Sequence, residues 1–189
     1  MEKLANTQYP VNEIIARRWS PRAYSEIIVD EKHVLSMLEA ARWAPSGGNT
    51  QPWRFIYALK QHSNKFEKIL AVLEPGNARW NIRAAGFIIV MAQKSNPDTG
   101  KPFNYGMFDC GLAVSNILIQ AQSAHIFTHV MGGFNKNALI KAFNLNDNLD
   151  PLVIISFGYA GDSGLLEPDL LARELADRKR IALENLIVE

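Results

Sequence analysis

The residues best suited to bind an anion in this 189-residue chain lie close together near its start. Three arginines and a serine fall within residues 17–22, RRWSPR, at the end of a short predicted helix. Paired guanidinium N–H groups match the oxygens of a phosphate, and a serine hydroxyl adds a neutral donor. An isolated basic cluster is more often a solvated turn, so phosphate binding is the less frequent interpretation of this segment taken alone.

Two glycine-containing segments are suited to a flat ligand. Residues 45–53, PSGGNTQPW, combine paired glycines, which let the main chain lie close to a ring, with amide and hydroxyl side chains that can bond ring heteroatoms. Residues 131–134, MGGF, place a second glycine pair directly after a predicted strand. Each segment is equally compatible with a plain loop or turn.

Several other kinds of site are not predicted. The chain has neither the Gly-x-Gly-x-x-Gly pattern of a Rossmann dinucleotide site nor the Gly-x-x-x-x-Gly-Lys-Ser/Thr pattern of a P-loop. His125 and His129 bracket a β-branched run, in which four residues span roughly 13 Å, so they are interpreted as ordinary polar positions and no metal site is predicted. Cys110 is interpreted as a small buried hydrophobe. No protein nucleophile stands out, which is consistent with a cofactor that carries the chemistry itself.

Composition predicts an ordinary globular protein. Hydrophobic residues make up 48% of the chain and charged residues 21%, and the length suits one domain over residues 1–189. A formal net charge of +1 gives no overall attraction to nucleic acid or to an anionic membrane. The longest apolar run, residues 84–92, is too short to span a bilayer, and the first ten residues do not resemble a secretory signal. A cytoplasmic location is expected, which the single cysteine fits.

Apolar periodicity and turn residues predict helices and strands that alternate along the chain. Helices are predicted from an Asn12 cap to Trp19, from an Asp30 cap to Pro45, at 62–73, and at 107–124, the last buried on most sides. Strands are predicted at 53–57, 84–92, 126–131 and 152–157, with 84–92 central and buried on both faces. Pro75 and Gly76 are expected to break the chain, and 93–105 to form a polar loop. The alternation predicts a sheet covered by helices.

Five passages together resemble the nitroreductase family in order and spacing, over nearly the whole chain. They are ARRWSPRAY, ARWAPSGGNTQPWRF, FDCGLAVSNILIQA, VMGGF and RKRIALENLIVE. The most specific is PSGGNTQPW, which resembles the family's Pro-Ser-Ser-x-Asn-x-Gln-Pro loop and occurs here together with Arg-x-Ser-x-Arg near the start. Trp19 departs from the Ser or His of many relatives, and Gly47-Gly48 carries less side chain than usual. The chain is short for the family, so the helical excursion that covers the flavin in longer relatives is expected to be reduced to residues 93–105.

The resemblance implies a flavin mononucleotide (FMN) site shared between two chains. The residues that would hold its phosphate and ribityl chain are Arg18, Trp19, Ser20 and Arg22, with Arg178 and Arg180 returning to the phosphate from the C-terminal tail. Those that would reach the flavin from the partner subunit are Pro45, Ser46, Gly47 and Asn49. Gln51 and the main chain at Gly132 and Gly133 would approach the ring. Asn77 or Asn81 would match the family's ring-contacting asparagine, and the sequence leaves that choice open.

The resemblance also implies a fold and an activity. The fold would be α+β, with a central, mostly antiparallel sheet flanked by helices and a C-terminal tail extending onto the partner of a homodimer. The activity would be that of an oxidoreductase in which NAD(P)H, as transient donor, reduces FMN, and a nitroaromatic or quinone-type acceptor then reoxidises it, a ping-pong mechanism. Neither the physiological acceptor nor the preference between NADH and NADPH follows from the sequence.

The candidates to line a pocket for a small planar electron acceptor are four aromatic residues: Trp43, Phe103, Tyr105 and Phe108. Core packing is expected for at least two of them. A flavin-binding sensor or carrier without turnover would have the same sequence motifs, so it stays an alternative function. Anaerobic addition of NADH or NADPH distinguishes the two, because only an enzyme has a competent path for hydride transfer.

Overall fold

A single four-stranded antiparallel sheet lies at the centre of the computed structural model, which describes residues 3–61 and 63–188. In chain order the strands are β1 (Trp53–Leu59), β2 (Gly86–Gln93), β3 (Phe127–Met131) and β4 (Leu149–Gly158). They lie in the order β1-β2-β4-β3, so β1 and β3 are the two edges of the sheet. Each pair is antiparallel, with Tyr57 opposite Ile88 and His129 opposite Ser156 as examples of the register.

Strand β2 is buried over its whole length because helices cover both faces of the sheet. Ile88, Val90 and Ala92 pack into the core on one face, and the alternating residues, such as Phe87 and Ile89, pack into the core on the other. Successive side chains of a strand point to opposite faces, so this pattern requires apolar residues at every position. The prediction of a central strand buried on both faces is confirmed.

Seven helices lie around the sheet in the described part of the chain. They are α1 (Glu13–Arg17), α2 (Glu31–Arg42), α3 (Ser63–Val72), α4 (Pro75–Asn81), α5 (Gly106–Ser123), α6 (Lys136–Phe143) and α7 (Pro168–Leu175). Helices α2 and α5 cover one face, while α3, α4, α6 and α7 contribute to the core on the other. The observed architecture is the predicted α+β class.

Side-chain caps explain where several helices begin. The Oδ1 atoms of Asn12 and Asp30 each accept a hydrogen bond of 2.9 Å from the main-chain N–H two residues ahead, which satisfies a donor at the helix start that has no partner within the helix. Both predicted caps are confirmed. The first helix ends at Arg17 and not at Trp19.

Pro75 and Gly76 do not break the chain but open α4. Proline has no N–H to donate, and the first turn of a helix does not use one, so its fixed φ suits that position. The predicted break at this point is wrong. The predicted helix at 62–73 matches α3, although residue 62 lies outside the described residues.

Helix α5 is less buried than its composition predicts. Its inner side, which includes Cys110, Ala113 and Ile117, is buried, whereas Met107 and Phe108 in its first turn are 71% and 67% exposed. The expectation that this helix is buried on most sides is therefore wrong at its N-terminal end. No helix within the described residues is long and apolar enough to cross a membrane.

Candidate cofactor-binding site

The loop of residues 18–22 lies against the edge strand β3. The main-chain oxygen of Pro21 is 2.9 Å from Nδ1 of His129, and the Trp19 ring meets the Phe127 ring edge to face at 6.2 Å. The Arg22 guanidinium lies 6.0 Å from the centre of the Trp80 ring. These contacts fix the loop at one edge of the sheet with its arginines toward the surface.

A cleft of about 280 Å³ opens beside this loop and is lined mainly by cations. We call it the basic cleft, and its lining residues are Lys3, Arg18, Trp19, Ser20, Arg22, Arg173, Ala176, Asp177, Arg178, Lys179 and Arg180. The fold thus brings together all six residues predicted for the phosphate end, four from near the start of the chain and two from near its end. Seven cations facing one acidic residue make this cleft suited to a multiply charged anion.

The electrostatics of the basic cleft are unfavourable without an anion. Burial lowers the pKa of Arg18, and the neighbouring charges of Arg178 and Arg180 lower it further. Burial likewise lowers the pKa of Arg22, which Glu174 partly offsets and Arg173 reinforces. Arginine stays protonated all the same, so the cations repel one another until a negative charge enters.

The C-terminal tail reaches the basic cleft through hydrogen bonds to the N-terminal part of the same chain. Nη1 of Arg178 donates to the main-chain oxygens of Lys3 and Ala16, at 2.8 Å and 2.6 Å. Nη1 of Arg180 donates to the oxygen of Lys179, the residue before it, at 2.7 Å. One nitrogen of Arg178 therefore holds the tail in place, and the rest of its guanidinium lines the cleft.

The Trp19 ring forms part of the lining of the basic cleft. Its side chain is 9% exposed, and the Lys3 ammonium lies 4.9 Å from the centre of its ring. Within the described part of the chain its buried Nε1 has no hydrogen-bond partner. A buried indole N–H without an acceptor lowers the free energy of unfolding.

His129 is not the ordinary polar position that its sequence context indicates. It is half-buried on β3, its ring lies tilted against that of Trp80 with ring centres 4.7 Å apart, and its Nδ1 donates to the Pro21 oxygen. Burial lowers its pKa to about 4, with a smaller lowering by Arg22 and Arg18 and an opposing effect of the hydrogen bond to Pro21. The imidazole is therefore neutral near pH 7. His125 instead lies exposed in the turn before β3, and the described residues contain no group of three or more metal-ligating side chains.

The Gly132-Gly133 turn follows β3 at the same edge of the sheet and packs on the start of α4. The Gly133 oxygen accepts from Nδ2 of Asn77 at 3.0 Å and from the main-chain N–H of Glu74 at 3.1 Å. A Cβ at position 133 would come within 2.7 Å of that Nδ2 atom, whereas one at Gly132 would meet nothing within 4 Å. A side chain at position 133 would therefore have to displace the ends of the Asn77 and Glu74 side chains.

The two candidate asparagines differ in accessibility. Asn81 is fully buried, and its Nδ2 donates to the Asn77 oxygen at 2.9 Å and to the sulfur of Met131 at 3.1 Å. Asn77 is half-buried and lies beside Gly133. Of the two, Asn77 is therefore the more accessible at this turn.

The loop of residues 45–52, just before β1, has an unusual backbone. Gly48, Asn49 and Gln51 all have positive φ, at 58°, 56° and 47°. Glycine and asparagine adopt this conformation readily, but glutamine rarely does, and such backbone strain concentrates at functional sites. The loop is held by a 3.0 Å bond from the Gln51 N–H to Oγ of Ser46 and by the Gly47 N–H facing the buried Asp109 carboxylate at 3.3 Å.

The two groups of predicted site residues lie at opposite edges of the sheet. The 18–22 loop and the Gly132-Gly133 turn adjoin β3, whereas the 45–52 loop leads into β1. Strands β2 and β4 lie between β1 and β3, so the supporting strands are about 14 Å apart at a spacing of ~4.8 Å. Within one chain the structure gathers the phosphate-end residues but does not bring the 45–52 loop to them.

The aromatic residues predicted for an acceptor pocket are more exposed than expected. Trp43, Tyr105 and Phe108 are 73%, 69% and 67% exposed, and Phe103 is half-buried. The expectation that at least two of them pack in the core is wrong. Tyr105 lies next to the 45–52 loop, since a Cβ on Gly47 would lie 3.3 Å from its ring.

Sequence reasoning missed several residues that shape this region. They are Lys3, Trp80, Asp109, Arg173 and Glu174. Except for Asp109, which lies in the FDCGLAVSNILIQA passage, none belongs to a motif that the sequence singled out, because their contacts are with residues distant in sequence. Asp109 alone had a usable signal, as an isolated acid at the start of an apolar helix.

Comparison with known proteins gives a consistent family. The model of the "Nitroreductase family" matches residues 15–159. A protein of Archaeoglobus fulgidus named "Putative NADH dehydrogenase/NAD(P)H nitroreductase" is 30% identical over 155 residues, which cover 79% of this chain and 85% of the relative.

Solved structures agree with that result. A crystal structure described as an oxidoreductase containing FMN superposes with a TM-score of 0.92 at 32% identity, over 97% of this chain and 93% of the other. A nitroreductase from Desulfovibrio desulfuricans in complex with FMN has the same fold, with a TM-score of 0.74 at 24% identity over 97% of this chain and 98% of the other. The match covers most of the chain and includes the 18–22 loop, the 45–52 loop and the glycine turn, so this chain belongs to the nitroreductase family.

Proposed function

We propose that this chain, as one domain over residues 1–189, is an FMN-dependent oxidoreductase that uses NAD(P)H to reduce nitroaromatic or quinone-type acceptors. The observation that carries the proposal is the basic cleft, in which cations from both ends of the chain surround a space suited to a phosphate. The names of relatives support it, since one includes an NAD(P)H nitroreductase and one solved structure contains FMN.

The donor set of the basic cleft fits the phosphate of FMN. Arg18, Ser20 and Arg22 offer guanidinium and hydroxyl donors from the 18–22 loop, and Arg178 and Arg180 add cations from the tail. A phosphate with nearly two negative charges would relieve the repulsion that lowers the pKa of Arg18. Trp19, predicted for the same end, would line the cleft through its buried indole.

The ring system of the flavin would lie along β3, toward the Gly132-Gly133 turn. Gly132 and Gly133 leave main chain uncovered there, and Asn77 is the proposed ring-contacting asparagine. FMN held there would supply the redox chemistry, with its reduction by NAD(P)H and its reoxidation by the acceptor as the two half-reactions of a ping-pong mechanism. The neutral His129 holds its Nδ1 proton toward Pro21, so it orients the 18–22 loop without adding charge.

We also propose that the protein is a cytoplasmic homodimer. The 45–52 loop, with Pro45, Ser46, Gly47, Asn49 and Gln51, lies at the edge of the sheet opposite the basic cleft, so it would serve the flavin of the partner subunit. Exposed apolar side chains support an interface, among them Tyr9, Val11, Ile15, Ile181, Leu186 and Ile187. The exposed Trp43, Tyr105 and Phe108 would then cover a planar acceptor at the shared site.

Anaerobic titration of the FMN-loaded protein with NADH and with NADPH tests this function. Loss of the visible flavin absorption, followed by its recovery when a nitroaromatic or quinone is added, is the expected result. A protein that binds no FMN would contradict the cofactor assignment. Bound FMN that neither nucleotide reduces would indicate a flavin-binding sensor or carrier in place of an enzyme.

A further inference from the structure

We propose that Glu174 is a positioning residue, which orients the 18–22 loop for the phosphate of the flavin. This inference rests on the proposed FMN function and adds to it a residue that makes no contact with the ligand itself. Glu174 lies in the last turn of α7 and is 3% exposed. Its carboxylate accepts the main-chain N–H of Arg22 at 2.9 Å through Oε2 and that of Ala23 at 3.2 Å through Oε1.

A carboxylate buried in this way needs contacts that offset its loss of hydration. Removing a charged group from water is costly unless hydrogen bonds or an opposite charge offset the loss of hydration. Within the described residues Glu174 forms no ion pair, although the Arg22 guanidinium is near enough to interact with it through space. Its two hydrogen bonds to main-chain N–H groups are charge-assisted. They stabilise the buried carboxylate and also hold the 18–22 loop.

Glu174 holds the main chain of the loop between two other points of attachment. On one side the oxygen of Pro21 is held by His129, and on the other the oxygen of Ala23 is held by the N–H of Gly161 at 2.9 Å. Between these two points, Glu174 accepts the N–H groups of both Arg22 and Ala23. It therefore sets the direction of the main chain from which the Arg22 side chain enters the basic cleft.

Glu174 also joins the two halves of the basic cleft. Nζ of Lys3 donates to the main-chain oxygens of Glu174 and Ala176. The tail that carries Arg178 and Arg180 begins directly after this helix end. A single residue thus connects the loop near the start of the chain with the tail near its end, and the relative placement of their arginines depends on it.

The test compares the affinities of FMN and riboflavin, which differ only in the phosphate, for the wild-type protein and for Glu174→Gln. Glutamine has nearly the same shape, but its amide can accept only one of the two N–H groups and turns a donor toward the other. FMN affinity should fall at least tenfold, while riboflavin affinity should change less than twofold. In the flavin-free protein, hydrogen exchange at the Arg22 and Ala23 amides should accelerate at least tenfold.

Glu167→Gln is the matched control, because Glu167 is exposed at the other end of α7 and pairs with Arg79 at the surface. It should leave both affinities unchanged. If Glu174→Gln does not fold, Glu174→Asp replaces it. Aspartate keeps the charge but is one methylene too short for both bonds, so it too should weaken FMN selectively.

Three results would overturn the proposal. They are an FMN affinity that does not change, an equal loss for FMN and riboflavin, and unaltered exchange at the two amides. A wild-type protein that binds neither flavin would instead contradict the proposed function, so the two failures can be told apart. A change in the FMN-to-riboflavin affinity ratio is not expected from a residue that only stabilises the fold.

Discussion

At the scale of single residues, the arginines of the basic cleft differ in what else they do. Arg178 uses one nitrogen to bind main-chain oxygens of the N-terminal part, so its removal would disturb the fold as well as the cleft. Arg22 has its main-chain N–H held by Glu174, while its guanidinium extends over Trp80 toward the cleft. Of these two arginines, Arg22 is therefore the better test of anion binding, because its replacement removes no hydrogen bond that holds the tail.

Arg22→Ala should weaken FMN about tenfold to a hundredfold, the range that corresponds to a charge-assisted hydrogen bond of about 1.5–3 kcal/mol. Riboflavin affinity should stay nearly unchanged, since that ligand lacks the phosphate. Fluorescence titration measures both. Arg83→Ala is the control, because Arg83 pairs with Glu26 near the surface and does not line the basic cleft. Equal retention of FMN by Arg22→Ala and wild type would contradict the assignment.

His129 should make the protein less stable in acid. Its folded pKa is about 4, below the ordinary 6.5, so the unfolded chain binds the proton more tightly. Stability is then lost as pH falls from about 6.5 toward 4, by about 2–3 kcal/mol at pH 4.5. Urea unfolding at pH 7.5 and pH 4.5 should show a smaller loss in His129→Gln than in wild type. His125→Gln, at the exposed histidine, should behave like wild type; a common pH dependence of all three would contradict the prediction.

At the scale of elements, each candidate segment is positioned by an element that is distant in sequence. The 18–22 loop is held by β3 and α7, the glycine turn by α4, and the 45–52 loop by the start of α5. The positive φ of Gln51 remains in place because Ser46 and Asp109 fix the chain before it. These supports are tertiary contacts, so the loops keep their shape only in the folded chain.

The turn after β3 offers a comparison between two neighbouring glycines. Gly133→Ala should lower the free energy of unfolding by about 1 kcal/mol, because the new Cβ displaces the Asn77 amide from its bond to the main chain. Gly132→Ala, where the Cβ meets open space, should change it by less than about 0.5 kcal/mol. Denaturant unfolding of the flavin-free variants measures both. Equal stabilities would show that the packing of the turn on α4 is not as close as observed.

At the scale of the whole molecule, the proposed sharing of the flavin site between subunits would link flavin binding to assembly. One chain carries the basic cleft and the 45–52 loop at opposite edges of its sheet, so a separate chain would offer each flavin only part of its contacts. A ligand that binds the dimer better than the monomer shifts the equilibrium toward the dimer. The shift is about 2.7 kcal/mol when free ligand is at 100 times its dissociation constant.

Sedimentation should therefore show a dimer with FMN and a weaker dimer without it. A variant that ends at Asp177 should weaken both assembly and FMN binding, because it lacks Arg178, Arg180 and the exposed apolar residues of the tail. Full-length protein at the same concentrations is the reference for the truncated form. A monomer that binds FMN as tightly as the dimer does would contradict the shared site.

The sequence by itself determined the parts of this protein that depend on local chemistry. Apolar spacing located the four strands and most helices, the caps at Asn12 and Asp30 were recognisable, and the motifs that line the basic cleft stood out as short segments. Pro75 shows the limit of local rules, since proline both interrupts a chain and opens a helix, and only the structure shows which occurs.

Only the tertiary structure decided which residues meet. The contact between Glu174 and Arg22 joins positions 152 residues apart, and no local pattern encodes such a pairing. The greater accessibility of Asn77 than of Asn81, the partial burial of His129 and the exposure of Phe108 likewise depend on what packs against each side chain. The physical reason is that periodicity reports how a segment faces the core, whereas burial and hydrogen-bond partners are set by elements that the chain brings together from far apart.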